Sequence, residues 1–304
     1  MYLHKDRETF KDIIEQTAEQ SGRTPVVVEK DYYVTLILKL LAEQLDLCVF
    51  KGGTSLSKGF RVINRFSEDI DITFKEHIGE SRRKKLKNVV LKGISEELEM
   101  PIANWNETQS DRDYNAYFFS YTSVFELEDE RLPQHIKLET ALGSYAFPTQ
   151  SVEIHSFIGD YLEKRNRKDF AKQFYLDNFS MNLQSLERTY IDKIFALCDY
   201  YMQGKSKRYS RHLYDIYKLT PLIAFDDKFV GAFYEDLDDI LGGVLVKIAG
   251  RLVRQDHRGH ACQGAGDGHP LLLAAGELQH IALRFLFRQP QALQNGQRRQ
   301  LGSQ

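Results

Sequence analysis

Phe50-Lys51-Gly52-Gly53-Thr54-Ser55-Leu56-Ser57-Lys58, followed by Arg65-Phe66-Ser67-Glu68-Asp69-Ile70-Asp71-Ile72, decides how this chain is read. Leu47-Cys48-Val49-Phe50 is a short apolar run of strand type. Gly52 and Gly53 then allow a sharp turn, with no Cβ to keep a phosphate from the backbone. Thr54 or Ser55 is placed to cap a following helix, whose free N–H groups and partial positive charge suit an anion. Leu56, Gly59, Phe60 and Ile63 recur at roughly helical spacing, and Lys58 stands one turn in, within reach of a phosphate. In the next strand side chains alternate between faces, so Asp69 and Asp71 share one side while Ile70 and Ile72 turn into the core. Two carboxylates this close repel each other unless a cation lies between them. Mg²⁺ takes such oxygens, and a pair of these ions would activate an attacking hydroxyl and neutralise a leaving pyrophosphate.

A Gly-Gly turn alone is an ordinary tight turn, and an Asp-x-Asp alone is an ordinary strand edge or helix cap. In this order, between two apolar strands, they form the arrangement that nucleotidyl transfer needs. Further along, Ile136-Lys137-Leu138-Glu139 alternates as a strand does. Glu139 is either a third acidic group beside the Asp pair or an exposed strand residue. Gln184 to Met202 has helical spacing, with Leu186, Tyr190, Ile194, Leu197 and Tyr201 in one stripe and Lys193 off it. Arg211 to Leu219 is a second helix, with Leu213, Ile216 and Tyr217 expected inward. Lys193 and Asp215 either face a cleft or form an inter-helix salt bridge, and both can hold at once. Arg188, Arg211 and His212 are secondary candidates, since Arg on a helix surface is usually solvated.

The Gly-Gly-Thr-Ser-Leu-Ser-Lys and Arg-Phe-Ser-Glu-Asp-Ile-Asp segments resemble the AbiEii/AbiGii toxin family. Its members are nucleotidyltransferase-like toxins of type IV toxin–antitoxin and abortive-infection systems, within the DNA polymerase β-type superfamily. The likeness takes in Val28-Glu29-Lys30-Asp31-Tyr32-Tyr33, Lys137-Leu138-Glu139, Glu187 to Lys193 and Arg211 to Lys218, and so covers roughly residues 20–225. It implies an α/β (α+β) fold, in which a polymerase β-type domain with a mixed sheet precedes a C-terminal helical domain. Asp69 and Asp71 would hold Mg²⁺, in a one- or two-ion site, with Glu139 as the third acid. Gly52, Gly53, Thr54, Ser55 and Lys58 would cradle the NTP triphosphate, and Lys193 and Asp215 would complete the site from the helical side. The reaction implied is transfer of NMP from an NTP to an RNA acceptor, a tRNA 3′ end above all. The partner implied is a cognate antitoxin, whose mode of action, with or without a stable complex, is left open. Two other classes fit the same residues: a small-molecule nucleotidyltransferase of the antibiotic-modifying type, which calls for an acidic pocket, and a non-catalytic nucleotide-binding protein.

Composition agrees with a folded chain of 304 residues, 42% hydrophobic and 28% charged, long enough for two packed domains. A net charge of −2 carries no global signal for nucleic acid, although basic runs occur at residues 82–87, 164–168 and 205–208. Cys48, Cys198 and Cys262 have no paired spacing, and Cys48 and Cys198 read as small buried hydrophobes, which suits a reducing cytoplasm. No signal peptide or bilayer-length apolar run is visible. Helices are expected over residues 5–20, from Pro25 to about Leu45, and over 79–98. Residues 100–157 read as strands, with Trp105, Tyr117, Phe119, Tyr121 and Val124 in the core, and from about residue 165 the pattern is mainly helical. The domain expectation is 1–160 for the transferase domain, 161–240 for the helical domain and 241–304 for an atypical tail. After about residue 240 Lys and Tyr fall away and Gln, Gly, Arg and His rise, as a frameshifted or recombined terminus would show. His257, His260 and Cys262 lack a fourth ligand nearby for a metal.

Overall fold

The computed structural model describes residues 1–125, 134–145, 148–202 and 209–226. The chain divides into two compact units, Met1–Thr189 and Tyr190–Gln304. In the first, α1 (Arg7–Ser21) begins where the Asp6 side chain accepts a hydrogen bond from the Thr9 amide at 3.2 Å, and it ends at Gly22 in the left-handed region, φ 64°. Pro25 then opens α2 (Pro25–Gln44). Its residues from Val28 to Leu41 are buried almost without a break, so α2 is wrapped by protein on every side. That burial takes in four charged side chains, Glu29, Lys30, Asp31 and Lys39. Each has a partner, because an uncompensated charge would not tolerate the interior.

Six strands form one mixed sheet: β1 (Cys48–Lys51), β2 (Ile70–Phe74), β3 (Tyr114–Ser120), β4 (His135–Tyr145), β5 (Thr149–Ile154) and β6 (Phe179–Gln184), in the order β3-β4-β2-β1-β6-β5. β1 runs antiparallel to β2 and parallel to β6, β2 is parallel to β4, and the two outer pairs are antiparallel. Phe50, Ile70, Ile72, Ile136, Leu138, Phe119 and Leu183 are fully buried in one core with α1, α2 and the helical stretch 80–97. Between β1 and β2 lie the short α3 (Gly52–Lys58) and an irregular segment up to Asp69. After β2 come α4 (Glu80–Lys85), a π-helical stretch Leu86–Leu91 and α5 (Lys92–Glu97); α6 (Phe157–Lys164) and α7 (Lys168–Gln173) precede β6. α8 (Leu186–Met202) leads into the second unit, which holds α9 (Tyr209–Leu219).

The mixed α/β fold expected from the sequence is the one observed. Several local expectations differ. Among the described residues the chain from about 165 is mainly helical as expected, with one strand the pattern did not show: β6 inserts between β1 and β5. Its Phe179, Met181 and Leu183 alternate with Ser180, Asn182 and Gln184, a period-2 signal only six residues long between helices. The helical spacing from Leu56 to Ile63 does not form one helix. α3 stops at Lys58, and Leu56 and Ile63 are buried from separate segments. Trp105 lies only half-buried in a 3₁₀ turn beneath the Lys87 ammonium, 4.7 Å from the ring centre. In α9, Tyr217 is 57% exposed, while Asp215, Ile216 and Leu219 are buried. The inward stripe therefore runs one position before the expected line, and the buried Asp215 is tolerated because Lys193 meets it. In α8 Lys193 is likewise buried with Thr189 and Tyr190, whereas Ile194 and Leu197 are half-buried. Cys48 is buried. The basic run 205–208, the side chain of Cys198, and the tail with His257, His260 and Cys262 lie outside the described residues. No helix among the described residues is long and apolar enough to cross a membrane.

Candidate active site

Register places the candidate residues. Lys51 on β1 stands opposite Asp71 on β2, and Asp71 stands opposite Glu139 on β4. Residues opposite one another on neighbouring strands share a sheet face, so these three form one cross-strand row. Ile70 and Ile72 turn to the other face and are fully buried. Asp69 lies just before β2, two residues from Asp71, where it feels the charges of Glu139, Lys137 and Lys30.

Gly52 closes the other side. Its φ is 81°, a backbone conformation that favours glycine, and any Cβ there would run into the Asp71 carboxylate. The glycine turn and the acidic strand are therefore in direct contact. Gly53 has a different neighbour, since a Cβ there would meet the Arg65 guanidinium at 2.5 Å and Ser67 Oγ at 3.0 Å. Thr54 and Ser55 do not cap α3, which starts at Gly52 without a side-chain cap. The Thr54 hydroxyl lies 2.9 Å from Ser67 Oγ, and Ser55 donates to the Gly52 carbonyl at 2.9 Å, so both fasten the turn from within. The Lys58 ammonium is held by the buried carboxylate of Asp31. Its side chain is 5% exposed and the charge is already engaged, which the sequence pattern did not show.

α2 pins this arrangement at three consecutive positions. Glu29 accepts from the Ser123 hydroxyl and, at 2.8 Å, from the Val124 amide. Lys30 pairs with Glu68 at 2.7 Å, next to Asp69. Asp31 takes Lys58 on one oxygen and the Phe157 amide on the other at 2.9 Å. A charged triplet inside an otherwise apolar helix was the available signal, since buried charges demand partners. Its roles were invisible because the partners lie 27 to 126 residues away.

The electrostatics single out the same row. Burial, then a hydrogen bond with Glu139, pushes the Asp71 carboxyl up to about 8. Burial also raises Asp69, with Glu139 adding to the effect. Burial alone would raise Glu139 too, but hydrogen bonds from Asp71, Lys137 and the Tyr114 hydroxyl, the last at 2.6 Å, carry it below the usual carboxylate range. Asp71 and Glu139 are thus hydrogen-bonded to each other and shifted in opposite directions, Asp71 upward and Glu139 downward. Tyr114 and Lys137 are site residues that the sequence reading left out; Lys137 stood two residues from Glu139 on the same strand face, which was the clue. Hard oxygen donors of two carboxylates in hydrogen-bond contact suit a divalent cation between them. Among the described residues, the cluster of three ligand-type atoms that lie within 4.8 Å of one another is a different one, His155, Asp160 and Glu163. There Arg61 already binds both oxygens of Asp160 at 2.8 and 2.9 Å.

In the second unit, Lys193 and Asp215 form an ion pair at 2.9 Å, with the Asp215 side chain fully buried. The inter-helix salt bridge read from the sequence is present.

A six-stranded mixed sheet that carries an acidic row against a glycine turn has the form of a nucleotidyltransferase-type fold. The sequence model of the nucleotidyl transferase AbiEii toxin, type IV TA system, matches residues 36–290, and the chain belongs to that family. The match runs beyond the composition break at about residue 240. A search of curated proteins finds no match.

Proposed function

We propose that this family member is a divalent-metal-dependent nucleotidyltransferase toxin that transfers NMP from an NTP to an RNA acceptor, a tRNA 3′ end foremost. The observation that carries the proposal is the contact between Gly52 and Asp71 beside Glu139: a glycine turn lies directly against two carboxylates on adjacent strands. Asp69 and Asp71 are the residues assigned to the metal, and Glu139 is the third acid. A divalent cation bound there would supply charge neutralisation at the triphosphate and at the attacking oxygen.

The chain's own residues do the rest. Gly52 and Gly53, held by Thr54 and Ser55, let the triphosphate approach the backbone. Lys58 belongs to the cradle in this reading, and Asp31 orients its ammonium. Lys137 and Tyr114 keep Glu139 ionised, ready to take the proton of the attacking hydroxyl. The oxygen–phosphorus bond to the acceptor forms as the bond to pyrophosphate breaks. Lys193 and Asp215, paired in the second unit, are assigned to the nucleotide phosphates as a set.

Incubation with total tRNA, Mg²⁺ and each α-labelled NTP tests the reaction, and label should enter RNA with wild type. Asp71→Ala should lower the rate by about 10³-fold or more, as expected when a transition-state charge loses its stabilisation. Transfer at the wild-type rate by Asp71→Ala would remove the metal assignment. Label in a small hydroxylated amine and none in RNA would favour the antibiotic-modifying class.

A further inference from the structure

Beside the turn, within the first unit, lies a cleft of about 190 Å³ that is open to solvent. Its wall includes Arg23, Lys58, Arg61, Arg65, Phe66 and Phe157. Asp31 and Asp160 supply the carboxylates. Asp31 holds Lys58, and Asp160 is held by Arg61. Both carboxylates of the cleft are thus engaged, and Arg23 adds a further cation to the wall. Among the described residues, Arg23 has no carboxylate partner. Its guanidinium lies 4.1 Å over the Phe157 ring. An arginine stacked on an aromatic face keeps its in-plane N–H fork for an anion, and that fork matches phosphate.

The cleft is continuous with the turn through shared residues. Arg65 lines the cleft, and its guanidinium is the atom group that a Cβ on Gly53 would strike. Ser67 lines the cleft too, and it is bonded to Thr54. Phe66 also lines the wall, beside the Phe157 ring that Arg23 covers. Guanidiniums beside aromatic rings suit a chain of phosphates carrying bases better than a lone anion.

We propose that this cleft is a second phosphate site, which takes the backbone of a single-stranded polynucleotide on its way to the turn. The polynucleotide's role as acceptor rests on the transferase function proposed above; the site itself is read by binding alone. Arg23 is the residue to test, since substitution leaves its backbone bond to the Ala18 carbonyl in place.

The probe is a fluorescein-labelled single-stranded RNA of about 12 nucleotides, titrated with the full chain without NTP and followed by anisotropy over a salt series. Arg23→Gln should weaken binding about 3- to 10-fold and reduce the slope of log affinity against log salt by ~0.7, the share of one phosphate contact on a single strand. Arg23→Glu should weaken it further, and calorimetric NTP affinity should stay unchanged in both. Circular dichroism melting checks that both variants fold. Wild-type RNA affinity in folded Arg23→Gln and Arg23→Glu would overturn the site, and so would a loss confined to NTP affinity. The two proposals fail separately. A wild type that transfers nothing, while Arg23→Glu still loses RNA affinity, removes the transferase function and keeps the cleft. Normal transfer and normal RNA binding by Arg23→Glu does the reverse.

Discussion

Asp71 meets three demands at once: it faces Gly52 across the turn, opposes Glu139 across the sheet, and follows Asp69 by two residues. Burial first, and then Glu139, raises its carboxyl. The carboxyl is shifted from an ordinary value of 3.8 up to about 8, so between these values the folded chain holds a proton that the unfolded chain has released. The stabilisation is complete below the lower value and is lost as pH rises through the upper one. Glu139 is shifted the other way, and its contribution is lost only as pH falls. In EDTA the melting temperature of wild type should therefore decline between about pH 5 and about pH 8.5, and Asp71→Asn should flatten that decline. Added Mg²⁺ should raise the melting temperature more at the alkaline end, where no proton competes for the carboxylates. Identical pH slopes for wild type and Asp71→Asn in a thermal-shift series would contradict the assigned proton. Part of this was legible in sequence: the alternation of Ile70-Asp71-Ile72 put both isoleucines in the core, where they are buried. Tyr114 was not legible, because its hydroxyl reaches Glu139 from a strand 25 residues away.

At the scale of elements, α2 is the clamp. Its consecutive Glu29, Lys30 and Asp31 bind the segment after β3, the approach to β2 and the end of α3. Both partners of the Asp31–Lys58 pair are nearly inaccessible, so removing one strands the other's charge. Asp31→Ala should cost about 3–5 kcal/mol in urea unfolding, because it also orphans the Phe157 amide. Lys58→Met should also destabilise, and the double variant should lose less than the sum of the singles by about 1 kcal/mol or more. Strict additivity in this cycle would mean that Asp31 and Lys58 act independently, and Lys58 would then serve the nucleotide alone. The helices α1 and α2 lie close to the spans expected from the sequence, 5–20 and Pro25 to about Leu45. α3 was read as longer than it is, since Gly59, Phe60 and Ile63 continue the spacing after the backbone has left the helix. Spacing reports what is buried, and Ile63 is buried from an irregular segment.

For the whole molecule, the decisive element is β6. It lies between β1 and β5 and pairs with both, Phe50 with Leu183 in parallel on one side and Val152 with Met181 on the other. A chain cut after residue 160, the expected domain end, would lose this strand and leave β1 and β5 with open edges. A fragment of residues 1–189 keeps all six strands and one compact unit. The longer fragment should unfold in a single cooperative urea transition, and the 1–160 fragment should show none. Cooperative unfolding of the shorter piece would mean that β6 is dispensable to the sheet.

The sequence by itself determined the strand–turn–helix–strand order around Gly52 and Asp71, the faces of that acidic strand, and the mixed α/β class. All of these follow from neighbours within a few residues, where period and turn chemistry act. Only the tertiary structure decided that Lys58 is engaged by Asp31, that Tyr114 and Lys137 hold Glu139, and that β6 joins the sheet. Those facts depend on side chains and strands that chain closure brings together from far apart. No local pattern encodes a partner whose identity is settled by burial.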